Sequence, residues 1–176
     1  SAIVTWQVEN EPFLQFGHCL GIDLDFYTSE LDLVRSLDDR PIALTVSGEL
    51  EPWFHAAPFA DEVGFSLYRL TWSPLFGFWS YPLQPSLYRG RVNALRPFVD
   101  YVYVSELQAE PWFHRPIESL TPDEQLKMFS PRMLRENVRF VQNIGVDRVD
   151  LWGVEWWWFM KTQDRPELWE TARDLF

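Results

Sequence analysis

The sequence predicts an α/β domain of five βα units on a parallel sheet, and three observations predict it. Short apolar segments alternate five times with segments of helical periodicity, the order that a parallel sheet with crossover helices imposes. The fourth apolar segment, 98–105, is almost uninterrupted, as expected of a strand buried on both faces. Finally, 176 residues at 47% apolar and 23% charged suffice for one domain, 1–176, with a substantial core.

The elements follow in order. The β-branched run Ile3 to Val8 reads as a first strand, stopped by Glu9-Asn10-Glu11-Pro12. Leu24, Tyr27, Leu31, Val34 and Leu37 fall at helical spacing, with Asp25 as the expected cap. Ile42 to Val46 is a second strand, and Pro52 to Glu62 a short helix weakened by Pro58. Gly64 to Leu70 is a third strand. The stretch from Trp72 to Pro85, with three prolines, a glycine and five aromatic side chains, reads as a long aromatic loop.

Leu87 to Arg96 forms a helix that Pro97 ends, and the fourth strand, Phe98 to Ser105, stops at Glu106. Thr121-Pro122-Asp123-Glu124 is a helix start with a capping box and Pro at the first helical position. Pro131 restarts the helix after Ser130, and Gly145 stands where a left-handed C-terminal residue is expected. Arg148 to Val154 is the fifth strand, leading into Glu155-Trp156-Trp157-Trp158, and a last helix runs from about Pro166 to Leu175.

Composition narrows the function. With 26 acidic and 15 basic residues the net charge is -11, which argues against nucleic acid or an anionic membrane as partner, because both need clustered Lys and Arg. The one cysteine, Cys19, rules out an intrachain disulfide, and His18, His55 and His114 do not have zinc-site spacing. No metal or cofactor is expected; metal-dependent hydrolysis is the weaker enzymatic alternative. The absence of a basic-then-apolar leader and of a membrane-length apolar run leads to the expectation of a cytoplasmic protein. No Gly-rich loop follows the first strand, so a nucleotide-binding reading loses its main support. Aromatic residues make up 17% of the chain; most such side chains serve a core, but the flat face of Trp also stacks on sugar rings.

Polar residues gather after the strands, where α/β folds place their sites. Glu11 ends the first strand and Glu106 the fourth. In a barrel, strand ends three positions apart face each other across the mouth. Facing carboxylates are what glycoside hydrolysis needs, one to protonate the leaving oxygen and one to attack the anomeric carbon. Asn10 would offer an amide to a substrate hydroxyl. Glu110 competes with Glu106 as nucleophile but lies four residues further on, in loop. Glu49 and Glu9 are candidates for substrate contact, each more readily explained as structural or solvated. Tyr68 could orient the nucleophile by a hydrogen bond or simply be a buried, satisfied tyrosine.

Trp6-Gln7-Val8-Glu9-Asn10-Glu11-Pro12 resembles the fourth-strand motif of clan A glycoside hydrolases, whose Asn-Glu pair carries the acid/base. Val104-Ser105-Glu106-Leu107-Gln108 is similar to their seventh-strand nucleophile segment, especially in the β-galactosidase-like branch, and Trp152-Gly153-Val154-Glu155-Trp156 to the eighth, where a Trp often lies under the sugar. The resemblance implies a partial (β/α)8, TIM-like barrel of strands four to eight. It further implies a retaining hydrolase of β-glycosides, with Glu11 as acid/base, Glu106 as nucleophile, and Asn10 and Trp152 or Trp156 holding a carbohydrate substrate. Retention predicts carboxyl groups about 5–5.5 Å apart.

A complete barrel of this kind takes ~250 residues, so the family's first three βα units have no counterpart here. Three explanations follow: a half-barrel completed by self-association, a piece of a longer hydrolase, or a non-catalytic relative that binds sugar. Two open sheet edges and the apolar run Trp156 to Met160 lead to the expectation of a homodimer or higher homo-oligomer, unless the loop from Trp72 to Pro85 covers that run.

Overall fold

The computed structural model describes residues 2–17 and 21–176; His18 and Cys19 lie outside the described residues. The strands are β1 (Trp6–Gln7), β2 (Ile42–Ser47), β3 (Glu62–Leu67), β4 (Leu70–Ser73), β5 (Gly77–Ser80), β6 (Tyr101–Gln108) and β7 (Val149–Trp152). The helices are α1 (Leu24–Leu37), α2 (Pro85–Leu95), α3 (Pro122–Met128), α4 (Pro131–Gln142), α5 (Val154–Thr162) and α6 (Glu167–Leu175). Strands β1, β2, β3, β6 and β7 pair in that order, every pair parallel. The sheet curls into a half-barrel within a mixed α/β fold.

Alternation along the strands sorts the two faces of this sheet. Ile42, Leu44 and Val46 of β2 and Val63, Phe65 and Leu67 of β3 enter one hydrophobic core with Tyr88 and Val92 of α2 and Leu134 and Val138 of α4. Successive strand side chains point to opposite faces, so Thr45, Ser47 and Ser66 fall on the other face, where the polar chemistry collects.

Strand β6 departs from this alternation at one place. Phe65 pairs with Val104 but Ser66 pairs with Glu106, which leaves Ser105 as an extra, bulged residue. Strict alternation after Val104 would send Glu106 into the core. The bulge resets the phase and puts Glu106 beside Ser66, while Leu107 returns to the core.

Several boundaries differ from expectation. The first strand shrinks to two residues on the sheet edge, because only Trp6 and Gln7 find partners in β2. Asp23, not Asp25, caps α1, its carboxylate accepting the Phe26 N–H at 2.8 Å. Pro52 to Glu62 is no helix: only Trp53–His55 makes a 3-10 turn, and Glu62 already belongs to β3. The third strand therefore runs earlier than Gly64 to Leu70, and Leu70 opens β4. The expected loop from Trp72 to Pro85 is instead largely the antiparallel hairpin β4–β5, turned through Gly77 at φ 68. The fourth strand starts later and runs on through Glu106 to Gln108.

The capping box Thr121/Glu124 forms, and Gly145 adopts φ 84. The run Trp156 to Met160 lies on a helix rather than in a strand or loop. Helical spacing turns Trp156, Trp157 and Met160 into the core and leaves Trp158 and Phe159 exposed. Gly153 makes the abrupt entry from β7 into α5 at φ 132, where a Cβ would meet the Ala109 carbonyl carbon at 2.8 Å. Among the described residues no helix is long and apolar enough to cross a membrane.

Candidate active site

Glu11 follows β1 with a left-handed backbone, φ 46. A non-glycine residue holds that conformation only when its surroundings over-determine it, and here the surroundings converge on one hydroxyl. Thr45, buried on β2, accepts the Glu11 backbone N–H at 2.9 Å and donates to Asn10 Oδ1 at 3.0 Å. The Gln7 side-chain amide reaches Thr45 Oγ1 at 3.3 Å and Asn10 Oδ1 at 3.1 Å. A 3.0 Å bond from the Leu14 N–H to the Glu11 carbonyl closes the turn.

Burial pushes the Glu11 carboxyl above its ordinary range; the Ser66 side chain partly offsets this, and the Glu106 charge adds to the rise. Glu11 Oε1 is buried with no hydrogen-bond partner among the described residues. Glu106 accepts a hydrogen bond from the Tyr68 hydroxyl at 2.9 Å. Burial and the neighbouring Glu106 raise the Tyr68 phenol, which keeps it a donor. Tyr68 is held in turn by Glu49, whose Oε1 accepts the Tyr68 backbone N–H at 3.3 Å and the Tyr88 hydroxyl at 2.7 Å. Burial pushes Glu49 up to about 7 despite those bonds. Glu51 is likewise pushed up to about 7 by burial, against the Ser47 N–H it accepts at 2.6 Å.

Glu11, Glu49, Tyr68 and Glu106 meet in a cleft of about 440 Å³, within the ~300–1,000 Å³ range of small-molecule sites. Glu11, Glu49, Ser66, Tyr68 and Glu106 form its polar part, and Trp72, Trp79, Tyr81 and Trp112 its aromatic walls. Among the described residues none that lines it is Lys, Arg or His. Trp112 stands edge-on to Tyr68, 5.6 Å between ring centroids.

Of the sequence-predicted site residues, Glu11, Glu49, Tyr68 and Glu106 come together here. Asn10 adjoins Glu11 in a neighbouring basin that also includes Glu9. Trp152, half-exposed at the end of β7, donates to Glu110 Oε1 at 3.2 Å, and neither lines the cleft. Burial raises the Glu110 carboxyl, offset by that Trp152 bond. Trp156 does not belong with them: it is 3% exposed and its indole N–H is bound by Gln125 Oε1 at 2.8 Å, so it is part of the core. Residues not singled out from sequence are Thr45, Ser66, Trp79 and Trp112. The two indoles had a signal, each flanking an already suspect segment. The two hydroxyls had none, being small polar residues inside apolar strands.

Among the described residues no group of three or more His, Cys, Asp or Glu side chains is placed to hold a metal ion. No protein-family model matches the chain, and no curated protein matches it.

Proposed function

We propose that the chain is a retaining β-glycosidase whose half-barrel corresponds to strands four to eight of the (β/α)8 barrel of clan A glycoside hydrolases, with Glu11 as acid/base and Glu106 as nucleophile. The observation that carries the reading is the unequal setting of the two carboxyls in one aromatic cleft. Burial raises the Glu11 carboxyl, the direction that favours a proton donor, and the Tyr68 hydroxyl donates a hydrogen bond to Glu106.

In the first step a Glu106 oxygen attacks the anomeric carbon while Glu11 gives its proton to the departing glycosidic oxygen. The C–O bond breaks and a glycosyl ester forms on Glu106. In the second step Glu11, now a carboxylate, takes a proton from water. That water attacks the anomeric carbon and the ester bond breaks, restoring both groups. A cleft with three carboxyls and, among the described residues, no cationic side chain favours an uncharged sugar over a uronate, since a like charge in a partly buried site is disfavoured.

The test is a panel of nitrophenyl β-glycosides, including a matched glucoside and glucuronide, with wild type, Glu106→Gln and Glu11→Ala. The expected result is hydrolysis of a neutral glycoside with retained anomeric configuration, abolished by Glu106→Gln, and no turnover of the glucuronide. Sugar affinity without hydrolysis of any activated substrate would replace this reading with that of a binding half-barrel.

A further inference from the structure

Glu49 is the third carboxyl of the cleft, and neither step of that chemistry gives it a task. Its bonds run to the protein. Both donors that reach its Oε1 belong to the chain itself: the Tyr68 backbone N–H at 3.3 Å, just past β3, and the Tyr88 hydroxyl at 2.7 Å, on α2.

The surroundings set where that oxygen stands. Tyr88 is buried in the core against Phe65 and Phe140, with ring centroids 6.0 and 5.8 Å away, so its hydroxyl is a fixed donor. Arg91, also on α2, donates to the Gly48 carbonyl at 2.7 Å and holds the backbone directly before Glu49. Gly48 is pressed against β3, where a Cβ would stand 2.0 Å from the Ser66 carbonyl oxygen; only glycine permits that approach. Tyr68, by contrast, lies beyond the sheet ladder, since Leu67 is the last residue of β3 paired with β6. The Glu49 carboxyl therefore gives the Tyr68 N–H the acceptor that a neighbouring strand would otherwise supply.

We propose that Glu49 is a positioning residue for the nucleophile: through the Tyr68 backbone it sets the place from which the Tyr68 hydroxyl bonds Glu106, and it does not contact the sugar; the assignment rests on the glycosidase reading of the same cleft. The role needs an acceptor oxygen rather than a charge. Glu49→Gln keeps such an oxygen, whereas Glu49→Leu keeps the bulk and removes it.

Tyrosine labelled with carbon-13 at the ring carbon that bears the hydroxyl reports the Tyr68–Glu106 bond without turnover. Tyr68→Phe identifies the signal, and Glu106→Gln shows how far it moves when its partner changes. The signal should move in Glu49→Leu and stay in place in Glu49→Gln. On a nitrophenyl β-glycoside, Glu49→Leu should lower kcat about 10-fold with KM little changed, and Glu49→Gln should keep most of the rate. In a Tyr68→Phe background Glu49→Leu should cost nothing further, because the hydroxyl it places is already gone. A Tyr68 signal unmoved in Glu49→Leu, an equal loss of kcat in both backgrounds, or a rise in KM with kcat kept overturns the proposal and leaves the glycosidase reading standing. A wild type that hydrolyses no glycoside overturns that reading, and the Tyr68 signal still decides whether Glu49 sets the bond to Glu106. If Glu49→Leu fails to fold, Tyr88→Phe replaces it: the ring stays in the core, Glu49 loses its anchor, and the Tyr68 signal should move in the direction seen with Glu106→Gln; an unmoved signal overturns the proposal.

Discussion

Thr45→Val isolates the support beneath Glu11. The substitution keeps the β-branched shape and removes one buried hydroxyl that accepts the Glu11 N–H and donates to Asn10. A buried donor left without a partner costs about 1–3 kcal/mol, and a non-glycine residue in a sparsely populated backbone region carries a similar strain of about 1–3 kcal/mol. With the bond gone, that strain favours relaxation of Glu11 out of its φ of 46, which swings the carboxyl away from the leaving oxygen. Misplacement by about 1 Å costs on the order of 100-fold in rate, so kcat on a glycoside with a sugar or alkyl leaving group should fall about 10- to 100-fold, with KM little changed. A dinitrophenyl glycoside departs without protonation and should lose far less. Thr45→Ser restores the hydroxyl and should recover most of the rate. Equal losses on both leaving groups would mean that the variant has disturbed the cleft generally, and would refute the assignment of Thr45 to the acid/base.

Three further outcomes follow from the same geometry. Tyr68→Phe removes the bond to Glu106, and since hydrogen bonds to charged groups are worth ~1.5–3 kcal/mol, steady-state kcat should drop about 10- to 100-fold; an unchanged kcat would leave Tyr68 a purely structural tyrosine. Glu106→Gln removes one of the causes that raise Glu11, so a carbon-13 carboxyl titration should find Glu11 lower in the variant yet still above an ordinary glutamate, because burial remains; no movement would mean that the two carboxyls do not interact. Glu49 and Glu51 are each raised to about 7 in the folded state. A carboxyl whose folded value exceeds its unfolded one binds protons more tightly when folded, so its stabilisation is complete below pH ~4.5 and is lost as the pH rises to about 7. Urea midpoints should therefore fall between pH 5 and 8, and the fall should shrink in Glu49→Gln; an identical slope would remove Glu49 from the account.

What was legible in the sequence was whatever depends on near neighbours. The capping box at Thr121 and Glu124 spans three residues, and the left-handed Gly145 needs only its own lack of a side chain. The parallel sheet was legible because burial on both faces leaves its strands nearly all apolar. The hairpin was hidden by its prolines and aromatics, although Gly77, closing the short turn 74–76 between Leu70-Thr71-Trp72-Ser73 and Gly77-Phe78-Trp79-Ser80, was a usable turn signal. Trp156 is expected at the sugar only through the resemblance of 152–156 to an eighth strand, but the strand ends at Trp152 and a helix begins at Val154. On that helix, positions 156, 157 and 160 share a face, which turns Trp156 into the core. Thr45 could not be found at all: its partners Gln7, Asn10 and Glu11 lie more than thirty residues away, and nothing local in β2 marks its hydroxyl.

The two carboxyls were legible as residue types at strand ends, but not the means by which each reaches the cleft. Both depend on a departure from regular structure. Glu11 does so through a left-handed backbone pinned by Thr45, and Glu106 through a bulge at Ser105 that reverses the side on which it emerges. An unbroken β6 would put Glu106 on the core side with Val102 and Val104, where an unpaired carboxylate is expensive, and would turn Leu107 out of the core. An ordinary turn after β1 would leave Glu11 no reason for the contact with Thr45. Regular alternation builds the core side of this sheet, and irregularity is confined to the side that carries the polar groups. That division accounts for the strained backbone of Glu11 and the register shift at Ser105 within otherwise well-paired strands: the bond to Thr45 and the ladder on either side of the bulge hold both deviations in place. The chemistry proposed for the cleft accordingly rests on backbone geometry as much as on the identity of the two glutamates.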